Sequence, residues 1–230
     1  MTQIVFTNTG GVPEEYSPKP ATASVPDWYK NLPSYMGGEK KPTGEGSTTG
    51  TIKRCMPVFD AIVGGYVLYT NVDVWVSQKD GMPWYEWPSF EPISWHPVEQ
   101  APNHPNRNGH QATYPKWINP WAIQTPPGYS TLFVQPMHRE SVFTILPGVV
   151  DTDQYNAPVN FPFVLNNIKF EGLIPAGTPM AQVIPFKRES WEMSLGTQED
   201  FEKQNKTTIR LRTRFFDSYK SQFRQPKEYK

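Results

Sequence analysis

The sequence is short of cysteine, of net charge and of long apolar runs. Its single cysteine, Cys55, excludes a disulfide within the chain and is typical of a reducing compartment. Basic and acidic residues balance at 22 each, so charge predicts neither a nucleic-acid partner nor binding to anionic membranes. No apolar stretch approaches the roughly 18 residues that a membrane-spanning helix needs. The N-terminal MTQIVFTNTGG lacks the basic region of a signal peptide. These absences predict a cytoplasmic protein.

Proline and aromatic residues are abundant instead. The 25 prolines are about 11% of the 230 residues, against a usual 5% or so. Proline removes backbone donors and stops helices, so this density favours short strands and fixed turns. Aromatic residues make up 14% of the chain and argue against disorder, because they bury large areas. The composition predicts a rigid, loop-rich, mainly β protein.

Three segments are predicted along the chain. Residues 1–50 form an N-terminal arm that ends in a Gly-rich loop. Residues 51–195 form a β core whose strands are separated by proline and glycine every eight to twelve residues or so, as in a sandwich or barrel. Within this core, residues 78–117 are an irregular insertion with short strand pieces. Residues 196–230 form a partly helical tail.

Helical signals are few. VPDWYKNLPSY, at 25–35, predicts one short helical turn that ends before Pro33. In the tail, Thr197 and Asp200 have the spacing of a helix cap, and the β-branched run 207–209 predicts a break.

Five motifs follow one another along residues 61–188. They are AIVGGYVLYTNVDVWV, WAIQTPPGYSTLFVQPMHRE, TILPGVVDTDQY, FVLNN and IPAGTPMAQVIPF. In this order they resemble the dUTPase and dCTP-deaminase family. The resemblance implies a β-clip fold, in the form of a barrel or sandwich, and a homotrimer as the first oligomer to test. The chain also resembles uncharacterised proteins of tailed phages and bacteria, which implies a phage-encoded protein.

The same resemblance implies roles for particular residues. Asp151 stands where the family aspartate orients the attacking water, and Tyr155 where a tyrosine stacks on the deoxyribose. Arg139 and Gln182 are the further candidates for substrate binding, and the family's cofactor is magnesium. On the residues alone, an aspartate in a turn next to glycine and proline more often caps the backbone than acts as a base.

Three departures count against family chemistry. Val67 stands where the family has a magnesium-linked aspartate, and Met137 and His138 stand where arginine and serine contact phosphate. The family's C-terminal Gly-rich arm is missing from the tail, although TGEGSTTG, at 43–50, is similar to it in composition. Phosphoryl chemistry depends on positioned cations and metal ligands, so these losses predict a scaffold without its catalytic machinery.

A second candidate site lies in the insertion. His96, Glu99, His104 and His110 fall in WHPVEQAPNHPNRNGH and could ligate zinc or another divalent metal. Their spacing matches no standard metal-binding motif. The alternative to a metal site is that these histidines are exposed or locally hydrogen-bonded loop residues.

The sequence is therefore compatible with two functions. The first is a non-catalytic β-clip assembly or binding protein without a cofactor, with itself or other virion proteins as partner, located in the host cytoplasm or in the virion as a decoration component. The alternative is a divergent dUTPase-like nucleotide pyrophosphatase or deaminase that acts on deoxynucleotides with magnesium, with Asp151 as general base.

Overall fold

The structure is a computed structural model that describes residues 2–43, 47–100, 113–213 and 218–230. The chain forms two compact units. The β unit comprises Met1–Ser24 and Gly65–Arg188, and the helical unit comprises Val25–Gly64 and Glu189–Lys230. Within the described ranges, no helix is both long and apolar enough to cross a bilayer.

The described strands all pair in antiparallel fashion. They are β1 (Val5–Asn8), β2 (Lys19–Pro20), β3 (Pro42–Thr43), β4 (Ser47–Thr48), β5 (Tyr66–Tyr69), β6 (Val74–Lys79), β7 (Met82–Glu86), β8 (Ile93–Pro97), β9 (Thr113–Trp117), β10 (Trp121–Gln124), β11 (Tyr129–Val134), β12 (Phe143–Ile145), β13 (Gly148–Val150), β14 (Phe161–Leu165), β15 (Gly172–Ile174) and β16 (Pro179–Lys187). The α-helices are α1 (Asp27–Asn31), α2 (Met56–Val63), α3 (Gln198–Thr213) and α4 (Ser218–Gln222). Short 3-10 turns lie at Glu14–Tyr16, Ala21–Ser24, Met36–Gly38, Ile52–Arg54 and Val98–Gln100.

Four sheets build the β unit. Their strand orders are β13-β11-β16-β5-β2, β12-β14-β9-β8, β15-β6-β7 and β1-β10. Strand β6 has one buried face and shows the expected period of two, since Val74 and Val76 are buried and Trp75 is 45% exposed. In β14, Phe161, Phe163 and Leu165 lie in one core, where Phe163 stacks on Trp117 at 4.9 Å between ring centroids. The predicted mainly β class is confirmed.

The helical unit contains a helix that the sequence pattern did not reveal. Strand signals were expected from residue 51 onward, but Met56–Val63 forms α2, so that expectation is wrong for these residues. Pro57 occupies the first turn, where its missing N–H costs nothing. Ile62 and Val63 are buried in a small core with Tyr29. Periodicity could not identify so short an apolar run as a helix rather than a buried strand.

The other helices agree with their local signals, with one exception. Helix α1 lies within the predicted turn at 25–35. Before α3, Thr197 and Asp200 exchange hydrogen bonds, from the Thr197 N–H to Asp200 at 2.8 Å and from the Asp200 N–H to the Thr197 hydroxyl at 3.3 Å. Helix α3 then continues to Thr213, so the predicted break at 207–209 is wrong. There the hydroxyls of Thr207 and Thr208 donate to carbonyls four residues earlier and remain compatible with the helix.

Candidate functional site

The ends of three neighbouring strands bring the candidate aspartate together with two residues distant in sequence. In the sheet, Thr131 of β11 pairs with Val150 of β13, and Tyr129 pairs with Lys187 of β16. The next residues along these strands, Ser130, Asp151 and Arg188, therefore lie side by side.

Hydrogen bonds join these three residues to a second aspartate. Asp151 accepts from the Ser130 hydroxyl at 2.6 Å and from Arg188 Nη1 at 3.2 Å. Arg188 also binds both carboxylate oxygens of Asp153, with Nη1 at 2.8 Å from Oδ1 and Nη2 on Oδ2. The Gly128 N–H donates to Asp153 Oδ2 at 2.8 Å. Ser130, Asp151, Asp153 and Arg188 are hereafter the aspartate cluster.

The two aspartates of the cluster have different environments. The side chain of Asp153 is 2% exposed, and that of Asp151 is 64% exposed. Hydrogen bonding from Arg188 holds the pKa of Asp153 well below its usual range, and the same contact raises the pKa of Arg188. Asp153 is thus the structural partner of Arg188, whereas Asp151 faces solvent.

Buried threonine hydroxyls support the loop that carries Asp151. The Thr152 hydroxyl lies 2.7 Å from that of Thr125 and 2.8 Å from that of Thr131, and all three residues are buried. The N–H of Tyr155 donates to the Asp151 carbonyl at 2.9 Å, which closes a turn and leaves the tyrosine ring 48% exposed. The predicted pair of Asp151 and Tyr155 therefore shares one rigid, solvent-facing turn.

Arg139 is used inside the fold. Its guanidinium donates to the backbone carbonyl of Ser24 and, at 3.2 Å, to the Ser24 hydroxyl. The buried Nε of Arg139 has no hydrogen-bond partner among the described residues. Burial lowers the pKa of the Arg139 guanidinium. Within the described chain, no hydrogen bond links Arg139 to the aspartate cluster.

Gln182 also has an internal role. It is fully buried in β16, and its amide oxygen accepts from the Met137 N–H at 2.9 Å. Across the sheet it pairs with Val67, which is fully buried against Ala21. A hydrocarbon side chain in that setting cannot ligate magnesium, so the residues present at this position do not fit the family's metal.

The described part of the histidine segment does not form a metal site. Nδ1 of His96 is hydrogen-bonded to the side-chain oxygen of Gln100, and Glu99 is exposed in the same 3-10 turn. His104 and His110 lie outside the described residues. Within the described ranges, no group of three or more His, Cys, Asp or Glu residues is suited to hold a metal ion. Of the Gly-rich stretch 43–50, residues 44–46 also lie outside the description, and the flanking β3 and β4 pair as a hairpin.

Sequence reasoning missed the partners of Asp151. Asp153 stood in the quoted DTDQY motif but was given no role, and Arg188 follows the last core strand without a motif of its own. The register of β11 with β16 places Arg188 opposite Gly128, two residues from Ser130 and on the same face of the sheet.

Comparison with known proteins gives a distant likeness of fold. No family model and no curated sequence matches the chain. Among solved structures, the chain is similar to the EIAV dUTPase, with 13% identity over 59% of this chain and 84% of the other, and a TM-score of 0.33. It is also similar to the dUTPase of phage phi11 of S. aureus, with 14% identity over 60% and 85% and a TM-score of 0.33. A third is the Staphylococcus bacteriophage 80alpha dUTPase solved with dUpNHpp, with 10% identity over 85% and 89% and a TM-score of 0.34. At these identities the likenesses concern the fold alone.

Proposed function

We propose that this chain is a non-catalytic assembly or binding protein on a dUTPase-like scaffold. The observation that carries the proposal is the internal use of the two candidate substrate residues Arg139 and Gln182, and of Arg188, the arginine next to Asp151. Arg139 donates to Ser24, Gln182 binds the Met137 N–H, and Arg188 is held by two carboxylates. Phosphoryl transfer needs positioned cations, and these contacts engage the arginines that would supply them.

An exposed aromatic face supports the assembly role. On the outer side of the sheet β15-β6-β7, Leu173 pairs with Trp75, and Trp84 lies opposite Ser77. Trp75, Trp84 and Leu173 are 42–46% exposed, and Lys79 Nζ lies 4.3 Å above the Trp84 ring centroid. Contiguous exposed apolar side chains mark protein–protein interfaces, where tryptophan is enriched. The proposed occupant is a second copy of this chain, with a trimer as the first assembly to test.

Light scattering after size exclusion measures this directly. We expect the wild type to elute as an oligomer and the double variant Trp75→Gln/Trp84→Gln to elute as a monomer. Trp191→Gln removes an even more exposed tryptophan from the helical unit and serves as the matched control, with wild-type mass expected. A wild type that stays monomeric at every concentration, or a double variant with unchanged mass, contradicts assembly through this face.

The concrete biological form of the proposal is a phage-encoded virion component, such as a decoration protein, made in the host cytoplasm. Mass spectrometry of purified particles tests it. Stoichiometric presence in the particles supports the virion role, and absence from them removes it while leaving self-assembly open to the light-scattering test.

One observation favours the catalytic alternative. Asp151 and Tyr155 remain exposed on one rigid turn, so a general base next to a stacking ring is sterically available. A divergent nucleotide pyrophosphatase would release pyrophosphate from dUTP, dCTP or dTTP in the presence of magnesium. A deaminase would release ammonia from dCTP, which alone of the three carries an exocyclic amine. Turnover that Asp151→Asn abolishes without unfolding would establish this alternative. Absence of turnover by the wild type, with magnesium or zinc, would reject it.

A further inference from the structure

A cavity in the helical unit combines an apolar lining with an excess of positive charge. Its volume is about 320 Å³, at the lower end of the range for small-molecule pockets. Tyr29, Met56 and Phe59 contribute the apolar wall. The cationic side chains at its edge are Lys53, Arg54, Lys220 and Arg224.

One of the cations is held in place by a carboxylate. Arg224 Nε and Nη2 bind Asp60 Oδ1 at 3.1 and 2.7 Å, and Lys227 binds the other oxygen of Asp60 at 3.0 Å. Hydrogen bonding from Arg224 lowers the pKa of Asp60, which keeps the pair ionised. The Arg224 guanidinium also lies 5.8 Å from the Phe59 ring centroid. Arg224 thus lines the cavity with a guanidinium that Asp60 holds in one orientation.

Two more cations, Lys53 and Arg54, contact neighbouring groups of the helical unit. Lys53 Nζ donates to the Lys30 carbonyl at 2.7 Å, and the Tyr29 hydroxyl donates to the Lys53 carbonyl at 3.0 Å. The Arg54 guanidinium lies 4.7 Å from the Tyr35 ring centroid. The contacts of Lys53 position its charge without neutralising it, so the cavity keeps a positive charge that an anion would satisfy.

The apolar wall is ordered as well. The rings of Tyr29 and Phe59 are stacked with centroids 6.0 Å apart, and both belong to the small core of the helical unit. A ligand that matches this cavity has a flat apolar body on one side and an anionic group on the other. We propose that the helical unit binds a small aromatic anion, a single ring bearing a phosphate or carboxylate, between the Tyr29–Phe59 wall and the four cations.

Isothermal titration calorimetry with four probes tests the proposal. Phenyl phosphate and benzoate carry both features, inorganic phosphate carries the charge alone, and phenol carries the ring alone. We expect at least one of the two aromatic anions to bind more tightly than both single-feature probes, and the tighter of the two identifies the head group. Added salt should weaken this binding, because the attraction is between charges.

Variants locate the binding in the cavity. Lys220→Gln removes an exposed charge from the cavity edge, and Lys53→Gln removes a second charge from the same edge. We expect Lys220→Gln alone to bind about tenfold more weakly, the loss of one charge-assisted contact, and the double variant to bind more weakly still. Lys169→Gln removes an exposed lysine from the β unit and should bind like the wild type. The melting temperature of each variant shows whether it is folded, and Lys220→Gln alone decides the matter if the double variant is unstable.

Three results would overturn the proposal. One is no heat from either aromatic anion up to about 10 mM, where binding is weaker than any useful site. Another is inorganic phosphate binding as tightly as phenyl phosphate. The third is equal affinity in the wild type and folded Lys220→Gln.

Discussion

At the residue scale, the contact between Asp153 and Arg188 makes the stability of the β unit depend on pH. The folded pKa of Asp153 is lowered, chiefly by hydrogen bonds from Arg188, so its stabilising contribution is fully present above the ordinary carboxyl pKa and is lost as pH falls toward the folded value. We expect Asp153→Asn to lower the melting temperature at pH 7, and the difference from wild type to shrink between about pH 5 and pH 3.

Asp151→Asn is the matched control for that substitution. Asp151 binds the same arginine but is 64% exposed, and exposed ion pairs contribute little, so its effect on melting should be clearly smaller. Equal losses in the two variants, or a loss for Asp153→Asn that does not change with pH, would contradict the assignment of Asp153 as the structural partner.

Two glycines have the same backbone conformation but different surroundings. Replacing each with alanine therefore separates the cost of a steric clash from the cost of backbone strain. Gly65 and Gly81 have φ values of +73° and +75°, which disfavour any residue with a Cβ. At Gly65 an added Cβ would lie 1.9 Å from the Val183 carbonyl oxygen, whereas at Gly81 nothing lies within 4 Å. Gly81→Ala should cost about 1–2 kcal/mol, the left-handed strain alone. Gly65→Ala should cost several times more or prevent folding. Chemical denaturation measures both costs. Similar costs for the two variants would mean that β5 and β16 can separate to admit the methyl group.

At the element scale, the start of α3 depends on one reciprocal cap. The Thr197 hydroxyl accepts a hydrogen bond from the Asp200 N–H. Thr197→Ala removes this hydrogen bond, which should lower the stability of the helix by about 1 kcal/mol. Thr208→Ala makes the same chemical change inside α3, where alanine has the higher helix propensity. We therefore expect opposite effects on helical circular dichroism, a decrease for Thr197→Ala and a small increase for Thr208→Ala. A decrease in both would show that the threonines act through contacts other than the cap.

Local signals predicted some elements and failed for others, for physical reasons. The cap at Thr197 and the turn at α1 lie within a few residues of sequence, so their spacing is visible in the sequence. Helix α2 was missed because its apolar residues face the small core around Tyr29, and a buried run of eight residues has no clear period.

At the scale of the whole molecule, the composition predicted the fold class, whereas the sequence did not predict which partners individual side chains contact. High proline content and regularly spaced apolar runs predicted the mainly β architecture. The partner of Arg139 is 115 residues away in sequence, and that of Asp153 is 35 residues away. Such contacts depend on strand order and register, which no local pattern encodes. The motif therefore predicts Arg139 as a substrate ligand, but it gives no sign of the contact that Arg139 makes with Ser24.

The division into two compact units predicts unfolding in two steps. The β unit has an aromatic core that includes Phe163 and Trp117, whereas the described core of the helical unit centres on Tyr29, Ile62 and Val63. A smaller core buries less apolar surface, so the helical unit should melt first in differential scanning calorimetry. Ile62→Ala should cost about 2–5 kcal/mol and lower the temperature of the first transition only. Phe163→Ala should cost about 3–5 kcal/mol and lower the temperature of the second transition only. A single transition that both substitutions lower equally would instead mean that the two units unfold as one cooperative body, and each core would then stabilise the whole chain.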